Sequence, residues 1–115
     1  MIRIVGIDCQ PDAAKDFNKW VEEVHIPMLL RFEGIKSVTR YQIAPGHSHD
    51  GLAFRTNEYP NYLTIIEFEN EQALEAYDAK FSNSSALQDA QKNHAQLGFE
   101  RKWRVDYRPL KTWGK

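Results

Sequence analysis

The chain has 115 residues, 42% of them hydrophobic, and its 15 Lys and Arg against 16 Asp and Glu leave a formal net charge of -1, so one domain over 1–115 that buries roughly two-thirds of its unfolded surface fits the length and a second does not. The charge lacks the basic excess of a nucleic-acid binder or membrane-surface helix, and no window nears 18 uninterrupted apolar residues, so neither nucleic acid nor membrane is an expected partner. Cys9 is the one cysteine and cannot form an internal disulfide, and Met-Ile-Arg-Ile lacks the apolar core of a signal peptide, so a cytoplasmic location is expected.

Met1 to Ile7 reads as a first strand, closed by Asp8-Cys9-Gln10-Pro11-Asp12. From Asp12 the period becomes helical, with Phe17, Trp20/Val21, Val24 and Met28 as the apolar stripe. Pro27 lacks the N–H that would bond the Glu23 carbonyl and disfavours a helical Ile26, which predicts a kink or an end there, then a short turn over Met28 to Phe32 and a stop at Gly34. Ser37 to Ile43 is a second strand, with Val38, Arg40 and Gln42 on one face and Thr39, Tyr41 and Ile43 on the other. Ala44 to Pro60, with its prolines, glycines and His47-Ser48-His49-Asp50, is the longest expected loop.

Asn61 to Phe68 is rich in β-branched and aromatic residues and is the expected central strand. Asn70 can cap a second helix whose stripe is Ala73/Leu74, Tyr77 and Phe81. Ser82-Asn83-Ser84-Ser85 breaks it, and Ser85-x-x-Gln88 restarts a helical piece through Leu87, Ala90 and His94 that ends at Gly98. Phe99 to Leu110 alternates as a last strand, with Trp103, Val105 and Tyr107 on one face and Lys102, Arg104, Asp106 and Arg108 on the other.

The order β-α-β-β-α-β is that of an α+β, ferredoxin-like fold, an antiparallel sheet with both helices on one face. The opposite face carries Ile, Val, Tyr and Trp side chains, too apolar for water, so a second sheet is expected to cover it through twofold association into a homodimer.

Phe17-x-x-Trp20 through His25-Ile26-Pro27, the Gly34 turn, Arg40-Tyr41, Tyr62 to Phe68 and Ala73-Leu74-Glu75-Ala76-Tyr77 together give the sequence a form that resembles the EthD-like branch of the dimeric α/β-barrel superfamily, across most of its length. The resemblance implies a homodimer with a cleft between sheet and helices in each subunit. Its relatives include cofactor-free isomerases, polyketide cyclases, cofactor-free monooxygenases and proteins of unknown role. In the isomerase-type sites a helix histidine and a strand tyrosine line the cleft, and the matching positions here are His25 and Tyr41. The catalytic cysteine of a methylmuconolactone methylisomerase has no counterpart, since Cys9 lies at the end of the first strand, so that reaction is not implied.

His25 lies about 80° around the helix from Phe17, at the flank of the stripe, where an imidazole can exchange protons for enolisation or an aldol cyclisation. Its bland role is to cap carbonyls freed by Pro27. Tyr41 could polarise a ligand carbonyl or pack as a half-buried aromatic. Arg40 points to the opposite face, so a pocket shared by His25 and Tyr41 needs Tyr41 turned toward the helices. Trp20, Tyr62, Phe68 and Trp103, with Arg40, are the candidate ligand-binding side chains, or else core and interface. His47-x-His49-Asp50 lacks the fixed spacing of a metal site, and no phosphate loop or nucleophile elbow is present, so neither a metal nor an organic cofactor is expected. His94, in a last helical turn, is favoured there by the dipole without any chemistry.

The expected function is that of a cofactor-free isomerase, cyclase or monooxygenase acting on an apolar, oxygenated small molecule, aromatic ones included, with His25 as acid/base and Tyr41 as donor. The alternatives are a non-catalytic ligand-binding or accessory dimer, and haem binding with His25 as axial ligand.

Overall fold

The computed structural model describes residues 1–44, 59–81 and 98–115. Its strands β1 (Ile2–Cys9), β2 (Ile35–Gln42), β3 (Tyr62–Phe68) and β4 (Phe99–Tyr107) form one antiparallel sheet in the order β2-β3-β1-β4. Helices α1 (Ala14–Trp20), α2 (Ile26–Leu29) and α3 (Glu71–Phe81) complete the split β-α-β pattern of the ferredoxin-like class. The expected element order and α+β architecture hold over the described residues. The loop with His47, His49 and Asp50, the helical piece from Ser85 and His94 lie outside them.

Local chemistry accounts for most element ends. Pro11 opens a single 3-10 turn before α1, and the Asn70 side chain accepts the Ala73 amide at 2.8 Å, an N-cap of the expected kind for α3. Strand β1 runs two residues further than expected, because the Asn61 side chain takes the Cys9 amide at 3.0 Å and gives a bond to its carbonyl at 3.0 Å. Gly98, at φ +65, turns the chain into β4, in a left-handed conformation that suits glycine.

The first helix departs from expectation. Pro27 does not end it: Ile26 is helical at φ -64 and ψ -46, and its N–H reaches back to the Val21 carbonyl. That five-residue reach belongs to a π-helical turn over Val21–His25 that joins α1 to α2. The missing Pro27 N–H is accommodated where the backbone ladder is already widened. The extra residue also moves the inward register, so that His25 and the fully buried Leu29 face the sheet, while Val24, expected on the apolar stripe, is 52% exposed.

A second irregularity lies in β4. Gly6 pairs with Trp103 but Ile7 pairs with Arg101, so Lys102 is an extra residue in a β-bulge. Strict alternation would put Arg101 on the same face as Trp103; the bulge turns it to the helix face along with Arg104 and Asp106, while Trp103, Val105 and Tyr107 keep the other face as expected.

Buried side chains between sheet and helices form two groups, Leu29, Ile35, Ile66, Phe68 and Leu74 toward one end and Cys9, Phe17, Val21 and Phe99 toward the other. The other face of the sheet carries Ile4, Leu63, Ile65, Tyr41, Trp103 and Tyr107, the last three 51%, 40% and 55% exposed. Glycine at position 6 is dictated there by close approach, since a Cβ would come within 2.8 Å of both the Pro60 Cγ and the Trp103 Cε2. Gly6→Ala is expected to cost about 1–3 kcal/mol by overpacking, read as a lower urea midpoint at unchanged slope; an unaltered midpoint would show that Pro60 and Trp103 yield freely.

Candidate functional site

Between the two buried groups the sheet and helices enclose a cavity of about 350 Å³, within the size range of small-molecule sites. Its floor is Arg3, Val5 and Ile7 of β1 with Thr64 and Ile66 of β3. Trp20, His25 and Leu29 come from the first helix, Tyr77 and Asp78 from α3, and Phe99, Arg101 and Arg104 from β4.

His25 ends the π-helical turn, and its ring stacks on the Trp20 indole with centroids 5.1 Å apart and planes 18° from parallel. The indole fixes the imidazole plane. Tyr77 contributes a phenol to the same cavity, held between Phe32, Phe68 and Phe81 at 4.7 to 5.6 Å. Burial pushes the Tyr77 hydroxyl above its ordinary pKa, so it stays protonated and able to donate.

Arg3 is 2% exposed near the start of β1. Its Nη1 and Nη2 donate to the Asp78 carboxylate at 2.6 and 2.8 Å, and its Nε and Nη2 to Asp106 at 2.8 and 3.2 Å. Burial opposes the charge on Arg3, but the bonds to the two carboxylates outweigh it and hold the guanidinium firmly protonated. The Arg3 hydrogen bond in turn holds the Asp78 carboxyl below its usual value, against the effect of burial. On β4, burial foremost, then Arg104 and Arg3, lower the pKa of Arg101.

The sequence candidates divide. His25 and Trp20 line the cavity. Arg40, Tyr62 and Phe68 lie in the sheet–helix layer but outside the lining: Arg40 donates to the Asn18 side chain at 2.8 Å and lies over the Phe17 and Tyr62 rings at 5.5 and 5.4 Å, and Phe68 is core. Tyr41 and Trp103 are on the open face. The pocket that His25 and Tyr41 were expected to share is therefore not formed within a subunit, because strand alternation turns Arg40 toward the helices and Tyr41 away. Cys9 is buried, and burial followed by Asp12 raises its thiol pKa, so it is no ready nucleophile. Sequence reasoning missed Arg3, Thr64, Tyr77, Asp78, Arg101 and Arg104. The one local signal was Arg3 itself, a cation inside the apolar run Ile-Arg-Ile-Val.

A family model described as a domain of unknown function, DUF4286, matches residues 1–101. No curated protein matches the sequence. Among solved structures, the chain is similar to HapK from Hahella chejuensis, at 14% identity and a TM-score of 0.65 over 100% of this chain and 98% of that one. It is also similar to a proposed antibiotic biosynthesis monooxygenase from Deinococcus radiodurans, at 10% identity and 0.62 over 99% and 100%. An ethyl tert-butyl ether D (EthD) family protein from Bacillus halodurans matches at 14% identity and 0.60 over 94% and 99%. The TM-scores and coverages, at these low identities, show a shared fold, the ferredoxin-like fold of the EthD family protein and its neighbours.

Replacing both counter-ions of Arg3, as Asp78→Asn with Asp106→Asn, is expected to cost about 3 kcal/mol, the lower end for a buried charge left alone because both carboxylates are partly exposed. Arg3→Met should cost less. The folded pKa of Asp78 lies below its unfolded value, so its stabilisation is complete above about pH 4 and is lost as the pH falls through the folded value. Urea titrations across acid pH should show a steeper loss for the native chain than for Asp78→Asn; parallel curves would remove Asp78 from the account.

Proposed function

We propose that this chain, which belongs to the DUF4286 family, is a small enzyme that holds an apolar, oxygenated molecule between sheet and helices and moves a proton on it, as an isomerase or cyclase does, without an organic cofactor. The observation that carries the reading is that His25, Tyr77 and Thr64 all line one cavity, which also has aromatic and aliphatic walls. His25 would take or return the proton, since an imidazole titrates near neutral pH. Tyr77, kept protonated by burial, would donate to the substrate oxygen on which enolate charge develops. It fills the donor role that sequence reasoning gave to Tyr41.

The open sheet face supports a homodimer. Tyr41, Trp103 and Tyr107 lie there beside Ile4, Leu63 and Ile65, a larger apolar surface than a monomer ordinarily leaves in water. Two such faces packed about a twofold axis would make the dimeric barrel, with Tyr41 in the interface rather than the cleft. Sedimentation equilibrium is expected to give a dimer at micromolar concentration and Ile65→Glu a folded monomer; a monomeric native chain would refute the association.

Proton transfer is tested by deuterium exchange into a panel of cyclic β-diketones and aryl ketones in D2O, followed by NMR. Exchange with at least one of them is expected, falling about 10²- to 10⁴-fold in His25→Gln and less in Tyr77→Phe. Binding with no enzyme-dependent exchange at any carbon acid would instead favour a non-catalytic ligand-binding dimer.

A further inference from the structure

The charges around the cavity do not cancel. Arg3, Arg101 and Arg104 line it, and the carboxylates against them are Asp78 in the lining and Asp106 behind Arg3. Both carboxylates are engaged by Arg3. Among the described residues neither Arg101 nor Arg104 has a carboxylate within ion-pair distance. Three guanidiniums face two carboxylates, an excess of one positive charge among these groups.

The bulge at Lys102 concentrates that charge. Arg101 pairs with Ile7 and Arg104 with Val5, neighbouring positions on the same face of β1 and so roughly 7 Å apart along the strand. In a regular strand residues three apart would point to opposite faces, so the extra residue brings two like charges side by side at the cavity, an arrangement that costs stability unless an anion joins them. Both arginines remain solvent-exposed, and desolvation first, then Arg104, lowers the pKa of Arg101. Away from the arginines the cavity is walled by Trp20, Val21 and Leu29.

We propose that Arg101 and Arg104 are an anion-binding subsite, and that the ligand of this cavity is an apolar monocarboxylate whose acid group they clamp while its body lies against Trp20, Val21 and Leu29. The single uncompensated charge matches a monoanion rather than a phosphate dianion, and paired guanidiniums suit a planar carboxylate. The inference rests on the reading of the cavity as a small-molecule site and adds the polarity and direction of its ligand.

The test is calorimetric titration of the native protein with 2-naphthoate and its neutral counterpart 2-naphthamide at neutral pH, at low salt and at 1 M sodium chloride. Naphthoate is expected to bind at least tenfold more tightly at low salt, with the advantage shrinking at high salt. Arg101→Gln with Arg104→Gln should erase the preference and leave naphthamide binding intact, whereas Arg108→Gln, whose arginine pairs with Glu71 on the surface, should retain it. Equal affinity of the native protein for the two probes overturns the anion subsite and leaves the cavity reading standing. Failure of both to bind at millimolar concentration overturns the cavity reading and this inference together. A preference that survives the double substitution refutes the assignment to these arginines, and since the native comparison needs no variant, a misfolded variant does not rescue the proposal.

Discussion

A guanidinium buried in the central strand constrains much of what surrounds it. Arg3 cannot shed its charge, and a lone cation in that position would be too costly to keep. Its partners come from α3 through Asp78 and from the edge strand through Asp106, 75 and 103 residues away in sequence. The network therefore fixes how α3 lies on the sheet and how β4 registers beside β1. Ion pairs of this kind add little net stability over apolar packing of the same volume. Their value here is geometric: Arg3, opposite Ile66 on β3, occupies a helix-face position that an aliphatic residue would give to the core, and so places a charge in the cavity lining.

Two backbone irregularities then set the chemistry of that cavity. The π-helical turn presents His25 where a regular helix would present an aliphatic residue, and the β4 bulge presents Arg101 where a regular strand would present it to the other face. Each inserts one residue and changes which side chain looks inward. Both are costly relative to ideal elements, and such devices concentrate where a side chain has to be re-aimed for function. Trp20 and Phe99, whose rings stack at 5.8 Å, link the two irregular elements across the cavity, so the imidazole and the arginines share one rigid frame.

The strands, their order and the Asn70 cap were legible in the sequence because they rest on local signals: period-two alternation, β-branched runs and a side chain that bonds its own backbone. His25 and Trp20 were legible for the same reason, lying beside a proline in an amphipathic stretch. Pro27 announced an irregularity but not its kind, since a kink, a stop and a widened turn all accommodate a missing N–H. The bulge left no mark, because Lys102 reads as one more exposed residue in an alternating strand. Tyr77 and Asp78 belong to a helix whose stripe predicts only burial, and their part in the cavity depends on Arg3, a pairing that no local pattern encodes. Tyr41 was misplaced for a related reason: alternation said that it and Arg40 face apart, but only the packed structure says which faces the helices.

The two faces of the sheet divide the work in a way that follows from this partition. On the helix face Arg3 and Thr64 are buried, and His25 and Tyr77 half-buried, beside the Trp20 indole and aliphatic walls, where a lower dielectric strengthens charge interactions. On the open face Tyr41, Trp103 and Tyr107 offer aromatic area, the composition of a surface that packs. Gly6 belongs to both: its missing side chain lets the Trp103 indole lie flat across β1, and the neighbouring step to Ile7 is where the bulge begins. A single short stretch of the central strand thus sets the relief of the open face and the placement of the two arginines behind it.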